Sequence, residues 1–428
     1  MTTPSPAEVH DLIGIGFGPS NLALAIALAE RGQTGSALFL EARPAFAWHP
    51  DMLIEGADMQ VSFLKDLVSL RNPQSSFSFL CYLHEKGRLA RFINRKTFFP
   101  SRHEFNDYLG WAAARLGPVC RYDQRVVGLA PVERDGRVDL VEVVAEDSAG
   151  TRTRRRARNI VLAPGGQPHL PAVFAGLERN PAVSHAGGYL AARDRRLRPG
   201  MAVAVIGAGQ SAAEIFADLA QSPAQPRVDL ILRGFALRPS DDTPFVNEVF
   251  DPAEARAFRQ SPARRRAALL ADLAATNYAV ADGDLIDRLY GLFYEQEVAG
   301  GGRLGLRRET TLRFARAEAG GVRLGLAGPE GESSARYDWV VLATGYRRNL
   351  AASVIADLAP WLAEMEPGPD YRLPTRPGFA PGLFVQGYSE ATHGLSDTLL
   401  SVLALRAEEI AASLERLRAR GPGVVAAE

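Results

Sequence analysis

Lysine is nearly absent from this chain. Of 49 basic residues in 428, only Lys65, Lys86 and Lys96 are lysines. A lysine held inside an apolar stretch such as MQVSFLKDLVSLRNP (59–73) therefore calls for a role that arginine cannot fill. Cysteine is just as scarce. Cys81 and Cys120 stand in neither CxxC nor metal-ligand spacing, which excludes a disulfide framework, a thioredoxin-like redox pair and a zinc site, and both are expected to be buried and reduced. An excess of either charge is missing too, because 49 acidic residues balance the 49 basic ones; there is no electrostatic footprint for nucleic acid or an anionic membrane. No apolar run approaches the ~20 residues that span a bilayer, and MTTPSPAEVHD has no basic region followed by an apolar one. The expectation is a cytoplasmic protein that binds no nucleic acid, membrane or metal; a homo-oligomer is compatible with all of this. With 46% hydrophobic and 23% charged residues, the chain can bury the core of two or three domains.

The pattern of elements is α/β. DLIGIG (11–16), NLALAIALAERG and ALFLEAR read as strand, helix and strand, a βαβ unit. Residues from there to about Trp111 break that rhythm and read as an insertion lining a site. Alternation between Arg121 and Leu162 predicts antiparallel strands with a hairpin at Asp135-Gly136. MAVAVIGAGQSAAEIFADLA with LILRG starts a second βαβ unit, and a polar helical insert spans about 240–298. The predicted fold has two Rossmann-like dinucleotide-binding domains. The first is built from 1–189 and 346–428, and the second, with the insert, from 190–345.

Each unit carries a glycine turn with a different partner. In GFGPSNL, Gly16 permits the turn, Gly18 lets the backbone approach a pyrophosphate, and Pro19 and Asn21 open the helix, with Asn21 where the usual fingerprint has glycine. Glu41, 25 residues after Gly16, stands where an acid bonds ribose hydroxyls. In GAGQSA (Gly207, Gly209, Gln210, Ser211) the equivalent position, 26 residues after Gly207, is Arg233. An arginine there suits a 2′-phosphate and favours NADPH over NADH, with Ser211 adding a hydroxyl; the plain alternative is a solvated surface residue. An acid-tipped unit for a flavin and an arginine-tipped unit for NADPH together can pass a hydride between cofactors. Without a cysteine pair, oxygen and then an organic substrate are the acceptors left.

GFGPSNLALA, FAWHPDML, MQVSFLKDL, FFPSRHEFNDYL, GAGQSAAEIFADL, DDTPFVNEVFDP, TNYAVAD, ATGY and THGLSDTLLSVLALRA run from about Val9 to Ala407. Through them the chain resembles the microbial N-hydroxylating flavoprotein monooxygenases of siderophore biosynthesis, and within these the L-ornithine N-monooxygenases. The resemblance implies FAD and NADPH as cofactors, and dioxygen converted on reduced flavin to a 4a-hydroperoxyflavin. The terminal amine of ornithine attacks that species to give N5-hydroxyornithine and water. It also implies roles for individual residues. Trp48, His49, Gln60 and Val126 fall on FAD contacts, as do Thr398, Leu399 and Leu400 at the start of a helix. Arg102 and Asn277 fall near NADP. Lys65, Asn247, Asn277 and Ser401 fall on the substrate, with Lys65 and Asn277 closest to catalysis and Ser396 a competitor for Ser401.

The substrate chemistry fits those residue types. Ornithine's distal amine should titrate near the lysine value of ~10.4, and only its neutral form is a nucleophile. Deprotonation at pH ~8 costs roughly 3.3 kcal/mol, so the site must grip the α-carboxylate and α-amine while leaving the far end unpaired. Lys65, expected within an apolar helix, offers one compact cation to that carboxylate, where a guanidinium fork would crowd a narrow pocket. Asn247 and Asn277 would add neutral hydrogen bonds, unless they are helix caps. Rival readings are an L-lysine N6-monooxygenase, a diamine N-monooxygenase, and an NADPH oxidase or redox-sensing flavoprotein without an organic substrate.

Overall fold

The computed structural model describes residues 8–419. Leu12–Ile15, buried throughout, pairs in parallel with Ala37–Leu40 on one side and Asn159–Leu162 on the other. Cys120–Arg121 and Gly382–Val385 are the outer strands, completing a five-stranded parallel sheet. Its strands are unbroken apolar runs because both faces are covered. On one face the helix Pro19–Glu30 packs with the C-terminal helix Leu403–Ala419, through Leu22, Ile26, Ala407 and Ile410. On the other, Ile13, Leu38 and Ile160 meet Val138, Val141 and Val143 of a sheet that is antiparallel except for its edge strand Val9–His10. That sheet contains the expected hairpin, Arg125–Arg134 with Arg137–Glu146; Asp135 and Gly136 both have positive φ, 52° and 74°, as a two-residue turn of this hand requires.

The second parallel sheet runs Val183–His185, Trp339–Leu342, Ala202–Ile206, Arg227–Ile231, Leu304–Arg307. Its edge strand Val183–His185 lies ahead of residue 190, so the second sheet begins earlier in the chain than the expected boundary. The helical insert is also shorter than expected. Pro244–Asn247, Pro252–Gln260 and Ala263–Asp272 stand apart from the sheet, but Gly283–Val298 packs Leu289 and Phe293 against the helix Gln210–Gln221, with Phe293 stacked on Phe216 at 5.3 Å. It is the crossover helix between Arg227–Ile231 and Leu304–Arg307. A short antiparallel pair, Gln167–Pro168 with Tyr346–Arg347, ties together the segments leading between the two units. Of the two cysteines, both free, Cys120 is buried as expected and Cys81 is exposed. No helix among the described residues is long and apolar enough to cross a membrane.

Candidate active site

The first glycine turn is closed from behind and open in front. Gly16 has φ 82° and a Cβ there would lie 2.5 Å from the Ala163 carbonyl oxygen, so only glycine fits. Gly18 has nothing within 4 Å on its Cβ side, and Pro19 opens the helix behind it. The Cβ side of Gly18 is thus open, leaving room for a pyrophosphate to approach the backbone. Glu41 accepts from Phe17 N at 2.7 Å and Arg43 N at 3.0 Å, which shapes the turn and leaves lone pairs for ribose hydroxyls. These residues fit the adenosine diphosphate half of FAD. Asn21 turns inward: fully buried, it donates to Ile15 O at 3.3 Å and Gly16 O at 2.7 Å and accepts from Gln386 Nε2 at 2.8 Å. Its side chain braces the turn, so any cofactor contact is left to its backbone.

Trp48 and His49 follow the first βαβ unit in the chain. Trp48 N donates to Asn106 Oδ1 at 3.0 Å, and its ring meets Phe105 edge-on. His49 adopts the left-handed conformation (φ 45°) with its ring between Trp48 and Tyr346. Although His49 keeps exposed surface, the packing around its ring, then the charges of Arg102, Arg43 and Arg348, lower its pKa to about 4. Val126 sits half-buried beside a bulge in its strand, against the core of the first unit.

In the second turn Gly207 has φ 150°, and a Cβ there would lie 2.4 Å from Ala343 O. A Cβ on Gly209 would lie 3.7 Å from Ala279 Cα, so the TNYAVAD segment carrying Asn277 runs directly over this loop. Ser211 is half-buried in the first helical turn, and Arg233 is exposed just past the carboxyl end of Arg227–Ile231. Gln210 is more committed. Its amide donates to Asp282 Oδ2 at 2.9 Å and Glu214 Oε1 at 2.8 Å and accepts from Asp282 N at 2.9 Å. Gln60 donates to Asp282 Oδ1 at 2.9 Å, and Arg102 pairs with Glu214 at 2.7 Å. Gln60, Arg102 and Gln210 therefore form one polar chain joining the 58–102 segment to the second unit. Its other members, Asp282 and Glu214, carry no sequence signal of their own.

Lys65 is not on a helix. It lies in an irregular turn organised by Asp66, whose buried carboxylate accepts from Val68 N at 3.0 Å, Ser69 N at 2.7 Å and Phe79 N at 2.7 Å. With its neighbour anchored inward, Lys65 sends Nζ over the Phe250 ring at 5.5 Å; among the described residues it has no carboxylate partner. Phe250 ends the segment that carries Asn247, whose side-chain amide holds the preceding loop by donating to Asp242 O at 2.7 Å. This segment packs against the turn Leu395–Thr398, and the Tyr278 hydroxyl, next to Asn277, donates to Glu390. Lys65, the two asparagine segments and the C-terminal block thus converge between the two glycine turns.

The C-terminal block differs from expectation. Thr398, Leu399 and Leu400 do not open an α-helix: Leu395–Thr398 and Leu400–Val402 are separate 3₁₀ turns with an extended Leu399 between them, and the α-helix starts at Leu403. Ser396 and Ser401 are both buried on these turns. A residue missed in the sequence holds them in place. Arg406, 2% exposed, donates to Gln386 Oε1 at 3.1 Å, Asp397 Oδ1 at 3.2 Å and Ser20 Oγ at 2.9 Å. Asp397, fully buried, also accepts from Ser389 N at 2.6 Å. His393 stacks on Tyr371 at 4.1 Å, and burial, with the charge of Arg259, lowers its pKa to about 4 against the pull of Asp397. Among the described residues no cluster of three or more His, Cys, Asp or Glu could hold a metal ion.

Two dinucleotide-type glycine turns, with a lone lysine and two asparagine segments converging between them, form a site of the kind a two-nucleotide oxidoreductase uses. A profile of the L-lysine 6-monooxygenase/L-ornithine 5-monooxygenase family matches residues 8–348, and the chain belongs to that family. It is 47% identical over 416 residues to an L-ornithine N(5)-monooxygenase of Pseudomonas aeruginosa, covering 95% of this chain and 94% of that protein. The solved ornithine hydroxylase from Pseudomonas aeruginosa superposes with a TM-score of 0.92 at 46% identity, covering 96% of this chain and 100% of that one. An ornithine N-hydroxylase from Kutzneria sp. 744, solved with reduced FAD, NADP+ and L-ornithine, superposes with a TM-score of 0.90 at 38% identity, again over 96% and 100% of the two chains.

Proposed function

We propose that this protein hydroxylates the side-chain amine of L-ornithine with NADPH, FAD and dioxygen, giving N5-hydroxyornithine for a hydroxamate siderophore. The observation that carries this reading is Lys65: a compact cation with no carboxylate partner among the described residues, beside the Asn247 segment. Bound FAD supplies the redox and oxygen-activating chemistry. The protein's own residues do the rest. Lys65 takes the α-carboxylate and Asn247 and Asn277 take the α-amine, with Ser401 alongside. Because they bond only the head of the molecule, the distal amine can lose its proton and lie with its lone pair free. The open space before Gly18 seats the FAD pyrophosphate, Glu41 its ribose, and Arg233 with Ser211 the NADPH 2′-phosphate. Two free cysteines suit a reducing cytoplasm.

Lysine is one methylene longer, a difference worth only ~1–3 kcal/mol, and a diamine would set an ammonium against Lys65. Product assay tests the order. Hydroxylamine should form in proportion to NADPH consumed with ornithine, far less with lysine, and least with putrescine. Peroxide alone with every amine would replace this reading by that of an NADPH oxidase.

A further inference from the structure

We propose that Arg308 is a second specificity-determining residue of the nicotinamide-nucleotide site, meeting the ribose 2′-phosphate together with Arg233. This rests on the NADPH reading above and extends it to a residue that the glycine fingerprint does not reach. Arg227–Ile231 and Leu304–Arg307 are neighbouring parallel strands, with Ile231 opposite Arg307. Arg233 and Arg308 therefore leave the sheet side by side at its carboxyl edge, where open α/β sheets bind their ligands.

The two loops are stitched into one surface. Leu232 N donates to Arg307 O at 3.0 Å, Glu309 N to Gly234 O at 2.9 Å and Thr310 N to Leu232 O at 2.9 Å. The Thr310 hydroxyl closes the second loop on Arg308 O at 2.7 Å. Glu309 adopts a left-handed φ of 46°, a conformation that costs a non-glycine residue energy and persists where its surroundings demand it. That kink leaves Arg308 stacked over Phe235, guanidinium to ring centroid 5.0 Å.

Charge separates Arg308 from its neighbour. Arg307 is neutralised by Asp229 at 2.9 Å. Arg308 and Arg233, both exposed, have no ion-pair partner among the described residues, although Glu309 adjoins Arg308 in sequence. Phe235, 64% exposed, seats the Arg308 guanidinium without quenching its charge. Two unquenched forks on stitched loops match the phosphate of a 2′-phosphorylated ribose.

The test compares 2′,5′-ADP with 5′-AMP by calorimetric titration of the FAD-loaded enzyme, which isolates the 2′-phosphate from the nicotinamide. Wild type should bind 2′,5′-ADP more tightly. R308A should narrow that preference roughly ten-fold with 5′-AMP binding unchanged, the size expected for one charge-assisted contact. R308K should recover part of the preference, and F235A, which removes only the seat, should narrow it less than R308A. If R308A keeps the wild-type preference while R233A loses it, Arg308 has no part in the site and the NADPH reading stands. If wild type itself binds both ligands equally, the NADPH reading falls, and this inference with it.

Discussion

The two glycine turns share a strand-turn-helix plan, yet their surroundings contrast. Around the first, Asn21 reaches Gln386, Gln386 reaches Arg406, and Arg406 reaches Ser20 and Asp397, all inside the protein. Around the second, Arg233 and Arg308 stand exposed, and backbone from the insert lies over Gly209. A cradle cross-braced by buried polar groups suits a group that stays; one rimmed by solvated cations suits a group that comes and goes. Both turns are braced by polar groups, the second through Gln210, Asp282 and Glu214; what distinguishes the second is its exposed cationic rim.

The sharpest way to break the contrast is Arg406→Met. It leaves Asp397 buried and unpaired, a change that typically costs ~3–5 kcal/mol. Denaturant unfolding should register the loss, and FAD should wash out on gel filtration, whereas Arg233→Ala should leave both unchanged. Lys65→Ala comes next. A charge-assisted hydrogen bond is worth about 1.5–3 kcal/mol, so the ornithine KM should rise roughly ten- to a hundred-fold while the rate of flavin reduction by NADPH is kept. An unchanged KM would remove Lys65 from the substrate site.

A pH titration probes the braced side. His393 titrates near 4 in the fold against 6.5 unperturbed, so below pH 6.5 the unfolded chain takes up a proton that the folded one refuses. Its contribution is full above about pH 7, falls as pH drops through 6.5 and levels off below 4, a loss of about 2 kcal/mol by pH 5. His393→Phe should flatten that part of the stability profile relative to wild type; parallel profiles would deny the shift. The smallest effect is expected from Arg233→Ala at the open rim. The preference for NADPH over NADH, read as a ratio of kcat/KM, should drop roughly five- to ten-fold, about 1 kcal/mol for an exposed charge, and equal loss with both nucleotides would remove its phosphate role.

Much of this was legible in the sequence because strands buried on both faces must be continuous apolar runs, and the glycine turns follow them directly. Lys65 stood out through the scarcity of lysine, but its local structure was misread. Phe63, Leu67 and Val68 have helical spacing, yet Asp66 captures the N–H groups of Val68 and Ser69 that a helix would need. Arg406 was illegible for another reason. In LALRAEEIAASLERL it looks like any exposed arginine of an amphipathic helix, and only contact with residues far away in the chain, such as Ser20, reveals it as buried. The side-chain partner of Asn21, Gln386, lies 365 positions away, where no local pattern reveals it.

The edge strand Gly382–Val385 pairs with Asn159–Leu162, and the segment between them holds the entire second sheet. On the ribosome, with elongation at ~5–20 residues per second, the earlier strand waits roughly ten to forty seconds for its partner. The second unit can fold while the first is still missing its last strand and its bracing helix. The first parallel sheet therefore cannot close until nearly the whole chain has been made, and its glycine turn gains its Gln386 and Arg406 braces last.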